Sequence, residues 1–141
     1  MNGDGRPDLI ASYYFLPVIS FLQLAPGVFD SGTEAPSSLI SGFGPSYGMQ
    51  VANFVGDAAP DVLVARGLKH GLSVFTNDGS GRLDNTQTIE GYSLSAPASW
   101  DVDGDGDLDA LALANDETYS SNPSSAKCVS CVHARMLTTR R

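Results

Sequence analysis

Basic residues are scarce in this 141-residue chain: two lysines and six arginines face 16 acids, giving a formal net charge of −8 and a pI near 4.4. A chain this poor in cations has no basic surface with which to neutralise phosphates, so no nucleic-acid partner is expected. Cations are the better-matched guests. Glutamate is scarce as well, three residues against 13 aspartates. Helix surfaces are built from Glu, Lys, Gln and Arg, whereas Asp with 15 Gly and 8 Pro belongs to turns, which argues against a mainly helical protein. Cysteine is confined to Cys128 and Cys131 near the end of the chain, so the remainder must fold without a disulfide.

Catalytic signatures are missing too. There is no Gly-x-Ser-x-Gly elbow, phosphate loop or dinucleotide fingerprint. His70 falls in an expected turn between Lys69 and Gly71, away from any Ser or Cys in a nucleophile's setting, and the chain is read as a non-enzyme. It opens Met1-Asn2-Gly3-Asp4-Gly5 rather than with a basic region and an apolar run, so no secretory signal is legible. The 21 uncharged residues from Leu9 to Phe29 contain Pro17, Gln23, Pro26 and Gly27. Those residues do not suit a helix crossing about 30 Å of hydrocarbon, so two buried strands are expected there and no membrane insertion.

What the chain does have is a repeat. Asn2 to Ile10, Asn53 to Val64 and Asp101 to Leu111 share one acidic Gly-containing pattern ending in an apolar strand, and their last aspartates, Asp8, Asp61 and Asp109, lie 53 and 48 positions apart. A period near 50 fits four short strands per unit, as in a propeller blade. Between the loops, Ile19 to Asp30 matches Leu72 to Asp84, and Ile40 to Phe43 matches Ile89 to Tyr92. In one unit, Tyr47–Ala52 should enter the acidic loop and Val62–Ala65 leave it. Turns at Gly67–Gly71 and Asn77–Gly81 should then flank a third strand, Leu72–Thr76, and lead into a fourth. Two units and part of a third are expected, because the pattern fails after Leu113.

The third loop carries the chemistry. Asp101, Asp103, Asp105, Asp107 and Asp109 place five carboxylates in nine residues, and such a density of hard oxygen donors repels itself unless a cation such as Ca²⁺ holds it. Gly104 and Gly106 let the backbone turn so that alternate carboxylates converge. The expected ligands are the side chains of Asp101, Asp103, Asp105 and Asp109 with the main-chain carbonyl of Asp107. An EF-hand would need a bidentate acid at the twelfth place, where Ala112 stands, and flanking helices for which there is no start signal.

With Asp-x-Asp-Gly-Asp-Gly-x-x-Asp at Asp101 to Asp109, an apolar strand after it and repetition at this period, the region from Met1 to Ala114 resembles the FG-GAP or VCBS repeats of integrin-alpha-like β-propellers. The resemblance implies an all-β, incomplete propeller of four-stranded antiparallel blades with Ca²⁺ in hairpin loops. It also implies a secreted or cell-surface binding and adhesion module. Its partner would be a protein or glycan ligand, with homo-oligomerisation or further blades closing the ring. The alternatives are a non-catalytic piece of a larger secreted hydrolase or lyase, and a propeller lectin.

The other two loops depart from the pattern. The first retains Asn2, Asp4, the Arg6 carbonyl and Asp8 as a partial site. The second retains Asn53, Asp57, the Ala59 carbonyl and Asp61 as a degenerate one, since Val55 replaces a ligand and Ala58 a glycine. Residues 115–141 are read as a non-repeat, disordered tail, in which Cys128, Cys131 and His133 lack the further ligand a zinc site needs. The aromatics Tyr13, Tyr14, Phe15, Phe43, Tyr92 and Trp100 are expected in the core.

Overall fold

Short apolar runs separated by Asp/Gly turns become antiparallel strands in a computed structural model, which describes residues 1–13, 17–36, 46–67, 70–90, 93–115 and 128–134, with only the backbone at 85, 114, 115 and 128–134. In chain order the strands are β1 (Leu9–Ala11), β2 (Ile19–Phe21), β3 (Gln23–Ala25), β4 (Val28–Phe29), β5 (Thr33–Glu34) and β6 (Ser46–Ala52). They continue with β7 (Asp61–Arg66), β8 (Gly71–Asn77), β9 (Leu83–Ile89), β10 (Ser93–Trp100), β11 (Asp109–Asn115) and β12 (Cys128–Ala134). There is no helix among the described residues, and the fold is all-β.

The strands form a four-stranded meander β6-β7-β8-β9, three-stranded sheets β1-β2-β5 and β10-β11-β12, and a β3-β4 hairpin; none of the sheets closes into a barrel. The expected unit is therefore present between Ser46 and Ile89, with strand limits within a residue or so of those read from the sequence. β1, β2 and β5 occupy the places of β7, β8 and β9, and β10 and β11 those of β6 and β7.

β7 shows why the sheets stack. All six of its residues are buried, and side chains alternate across a strand. Leu63 and Ala65 join Leu72, Val74, Leu94, Ala110 and Ala112 in one core on the side of β10 and β11. Val62 and Val64 join Val18, Ala35, Phe75 and Leu83 in a second core on the side of the first sheet. The meander is thus covered on both faces, and its near-continuous apolar run is what such a strand requires. Fully burying each of these Val and Leu side chains stabilises the fold by roughly 1.5–3 kcal/mol. Polar ties cross the same interfaces: Ser20 Oγ donates to the Gly81 carbonyl at 2.7 Å, Asn77 Nδ2 to the Met1 carbonyl at 2.8 Å, and Gln50 Nε2 to Ser99 Oγ at 2.7 Å.

Some expectations change. Leu9 to Phe29 contains four short strands rather than two buried ones. Leu9, Leu24 and Val28 are each more than half exposed, and Val18 and Ser20 are the buried positions among the described residues of the segment. No helix among the described residues is long and apolar enough to cross a membrane. Tyr13 and Trp100 are each 70% exposed, so neither is a core residue; Tyr14, Phe15, Phe43 and Tyr92 lie outside the described residues, as does the Ile40–Phe43 match. Trp100 ends β10, whose alternation turns the ring away from the face packed against the meander, and Tyr13 lies beyond the end of β1. Within the tail, β12 pairs antiparallel with β11, Ala110 opposite Ala134 and Leu113 opposite Cys131. The side chains of Cys128, Cys131 and His133 lie outside the described residues, as do residues 116–127 and 135–141.

Candidate metal centre

The three acidic loops are built by one set of hydrogen bonds, which shows that the sequence repeat is a structural one. With Asp101 as place one, the backbone N–H at place seven donates to the carboxylate at place five in every loop: Arg6 to Asp4 at 2.9 Å, Ala59 to Asp57 at 2.9 Å and Asp107 to Asp105 at 3.0 Å. Place one accepts from place four, Gly56 to Asn53 and Gly104 to Asp101, both at 2.8 Å. Place four is glycine with φ between 75° and 76° in all three (Gly3, Gly56, Gly104), a left-handed turn that a Cβ would strain. These local side chain to backbone bonds are the Asx-turn chemistry for which Asp and Asn are suited.

Place nine does something the sequence reading missed. Its carboxylate accepts from the nitrogen at place two in each loop: the Met1 ammonium to Asp8 at 2.6 Å, Phe54 N–H to Asp61 at 2.8 Å and Val102 N–H to Asp109 at 2.9 Å. In the first two loops the other oxygen reaches a later strand, accepting from Gln23 N–H at the start of β3 (Asp8, 2.9 Å) and from Asn77 N–H at the end of β8 (Asp61, 3.0 Å). In the first two loops this aspartate therefore ties the loop's entry to a strand beyond the one the loop leads into. The signal was available, since place nine is the only acid besides place five present in all three loops, including the second, where other ligand positions are gone.

The Asp61 and Asp8 carboxyls are shifted in opposite directions. Burial works to raise both carboxyls. For Asp61, wholly buried, it prevails over the N–H donors of Asn77, Phe54 and Val55, and Asp57 adds repulsion, so the value is raised. For Asp8 the Met1 ammonium and the Gln23 N–H outweigh burial, and the value is lowered.

As a candidate metal site the third loop is distinct. One carboxylate oxygen each from Asp101, Asp103 and Asp109 lie within 4.8 Å of one another. Ca²⁺ binds oxygens at 2.3–2.6 Å, so ligands on opposite sides of one ion are up to roughly 5 Å apart and the triad fits. Three carboxylates this close repel one another, by an amount that solvent screening reduces and a divalent cation would reverse. Asp105 is not among the gathered oxygens; its Oδ1 accepts from Asp107 N–H.

The first two loops use their groups otherwise. Asp8 holds the Met1 ammonium, and Arg6 turns its guanidinium onto Asp4 at 3.3 Å while its N–H bonds the same carboxylate. In the second loop Asn53 is engaged by Gly56 N–H and by the Asp57 carbonyl. Beside it lies a cleft of about 410 Å³ whose lining includes Asp57, Asp78, Asp84 and Arg82. Compared with protein-family models, curated proteins and solved structures, the chain matches none.

Proposed function

We propose that the chain is a calcium-binding β-propeller repeat segment of the FG-GAP/VCBS kind that works as an extracellular, secreted or cell-surface binding and adhesion module. The observation that carries this reading is the convergence of Asp101, Asp103 and Asp109 at the head of the β10–β11 hairpin. Support for the blade architecture comes from three sheets stacked through two apolar cores, with an equivalent acidic loop leading into β1, β7 and β11. In this reading Asp101, Asp103 and Asp109 hold the ion, Asp105 and the Asp107 carbonyl complete its shell, and the ion stiffens a hairpin rather than driving a reaction. A protein or glycan is bound elsewhere on the blades.

Calorimetric titration tests the proposal. The expected Kd is on the order of 10⁻⁴ to 10⁻³ M, the range of extracellular calcium modules. Asp103→Ala should abolish the heat while leaving unfolding in EDTA close to wild type, because Asp103 is exposed and its carboxylate, among the described residues, bonds only a neighbouring loop N–H. Absence of heat at millimolar Ca²⁺ would sink the proposal.

A further inference from the structure

The stack of sheets has a direction. Along β7, Val62 and Val64 face the first sheet, while Leu63 and Ala65 face the third. β11 repeats this polarity 48 positions on, since Ala110 and Ala112, the counterparts of Val62 and Val64, face back toward the meander. β1 repeats it 53 positions earlier, since Ile10, the counterpart of Leu63, faces forward into the core shared with the meander. Register carries the rule to the neighbouring strand: Leu9 pairs with Phe21 on β2 as Val62 pairs with Phe75 on β8.

A stack with one polarity ends in two unlike faces. The backward face of the first sheet carries Leu9, Ala11 and Phe21, in the places of Val62, Val64 and Phe75. Leu9 is 51% exposed there, whereas Val62 is wholly buried. The forward face of the third sheet carries Leu111 and Leu113, in the places of Leu63 and Ala65, with Ala98 and Trp100 beside them on β10. Leu113 is 37% exposed and Trp100 70%, whereas Leu63 and Ala65 are wholly buried. None of these side chains is charged, and the one charge on the strands of the first sheet, Glu34, lies on its edge strand β5. Apolar faces of this kind mark interaction surfaces. The chain itself shows what covers them, because each of its two cores joins the forward face of one sheet to the backward face of the next.

We propose that copies of this chain associate head to tail, the forward face of the third sheet in one copy packing on the backward face of the first sheet in the next. The contact continues the two interfaces already present within the chain. It is heterologous, since it joins two different surfaces of one molecule, and each added copy leaves one face of each kind free until the assembly closes. Trp100 supplies a large exposed aromatic anchor of the sort on which interfaces depend. The proposal stands on the stacking of the sheets and not on calcium, so it is tested with calcium removed.

Sedimentation velocity of the full chain in EDTA is the measurement, over a series reaching about 100 μM, because interfaces of standard size bind at μM or tighter. Wild type should gain mass with concentration. Leu9→Lys spoils the backward face and Leu113→Lys the forward one, and circular dichroism verifies that each variant keeps its strands. Each variant alone should stay monomeric, while an equimolar mixture should form a 1:1 dimer that grows no further, since one intact face of each kind remains. Trp100→Ser, at an exposed position, should fold normally and associate about tenfold more weakly than wild type. Wild type that stays monomeric throughout the series, a single lysine variant that still self-associates, or a mixture that does not dimerise overturns the proposal. Should a lysine variant not fold, undiminished association of Trp100→Ser overturns it instead.

Discussion

Removing the Asp61 carboxylate is the sharpest test of the staple at place nine. Asp61→Ala strips acceptors from three backbone N–H groups: Phe54 at 2.8 Å and Val55 at 3.2 Å on one oxygen, and Asn77 at 3.0 Å on the other. The Phe54 and Asn77 bonds are buried, and a buried donor left without a partner costs about 1–3 kcal/mol. Against this, the mutation removes a wholly buried carboxyl whose raised value shows that ionisation already works against the fold. A net loss of about 2–4 kcal/mol follows, a large part of the roughly 5–15 kcal/mol that holds a domain of this size. Urea denaturation in EDTA is the assay, with a midpoint shift of about 1–2 M for a typical slope. Asp57→Ala is the control, because Asp57 is exposed and its carboxylate, among the described residues, bonds only the Ala59 N–H two residues on; it should cost no more than about 1 kcal/mol. If Asp61→Ala unfolds within about 0.5 kcal/mol of wild type, or no lower than Asp57→Ala, the staple carries no weight and the reasoning is refuted.

Other outcomes follow from the same geometry. Because the folded Asp61 value is raised, its contribution is fully present below the ordinary carboxylate value and is lost as pH rises through the folded one, so wild type should lose stability relative to Asp61→Asn across that window. Asp8 has the opposite sign: its contribution is present above the ordinary value and lost as pH falls through the lowered one, and denaturation of Asp8→Asn alongside wild type should show the converse slope. Leu63→Ala, at a wholly buried position in the core shared with the third sheet, should cost about 2–5 kcal/mol by chemical denaturation, whereas Trp100→Ser, at a 70% exposed one, should stay within about 0.5 kcal/mol. Gly104→Ala forces a Cβ into a φ of 76° and should destabilise the hairpin by about 1 kcal/mol in EDTA and weaken calcium binding in calorimetry.

Local rules were enough for much of this molecule. Asp/Gly turns, alternating apolar residues and a period near 50 are written in neighbouring positions, so the sequence by itself determined the all-β class, the limits of β6, β7 and β8 and the equivalence of the three loops. The convergence of Asp101, Asp103 and Asp109 was legible for the same reason, since a nine-residue loop with two left-handed glycines brings its own side chains together. Tertiary structure alone decided whatever depends on which face has a neighbour. Alternation says that two faces exist, not which one is covered; hence Val62 and Leu63 are both buried because sheets stand on both sides, while Trp100 is exposed. It also decided that Asp8 and Asp61 reach strands 15 and 16 residues further on. Arg66 belongs to the same class: nothing in Val-Ala-Arg-Gly marks a buried charge, and its burial arises from a sheet formed by residues far away in the chain. Burial is set by packing between sheets, and packing is a property of the assembled chain rather than of any segment of it.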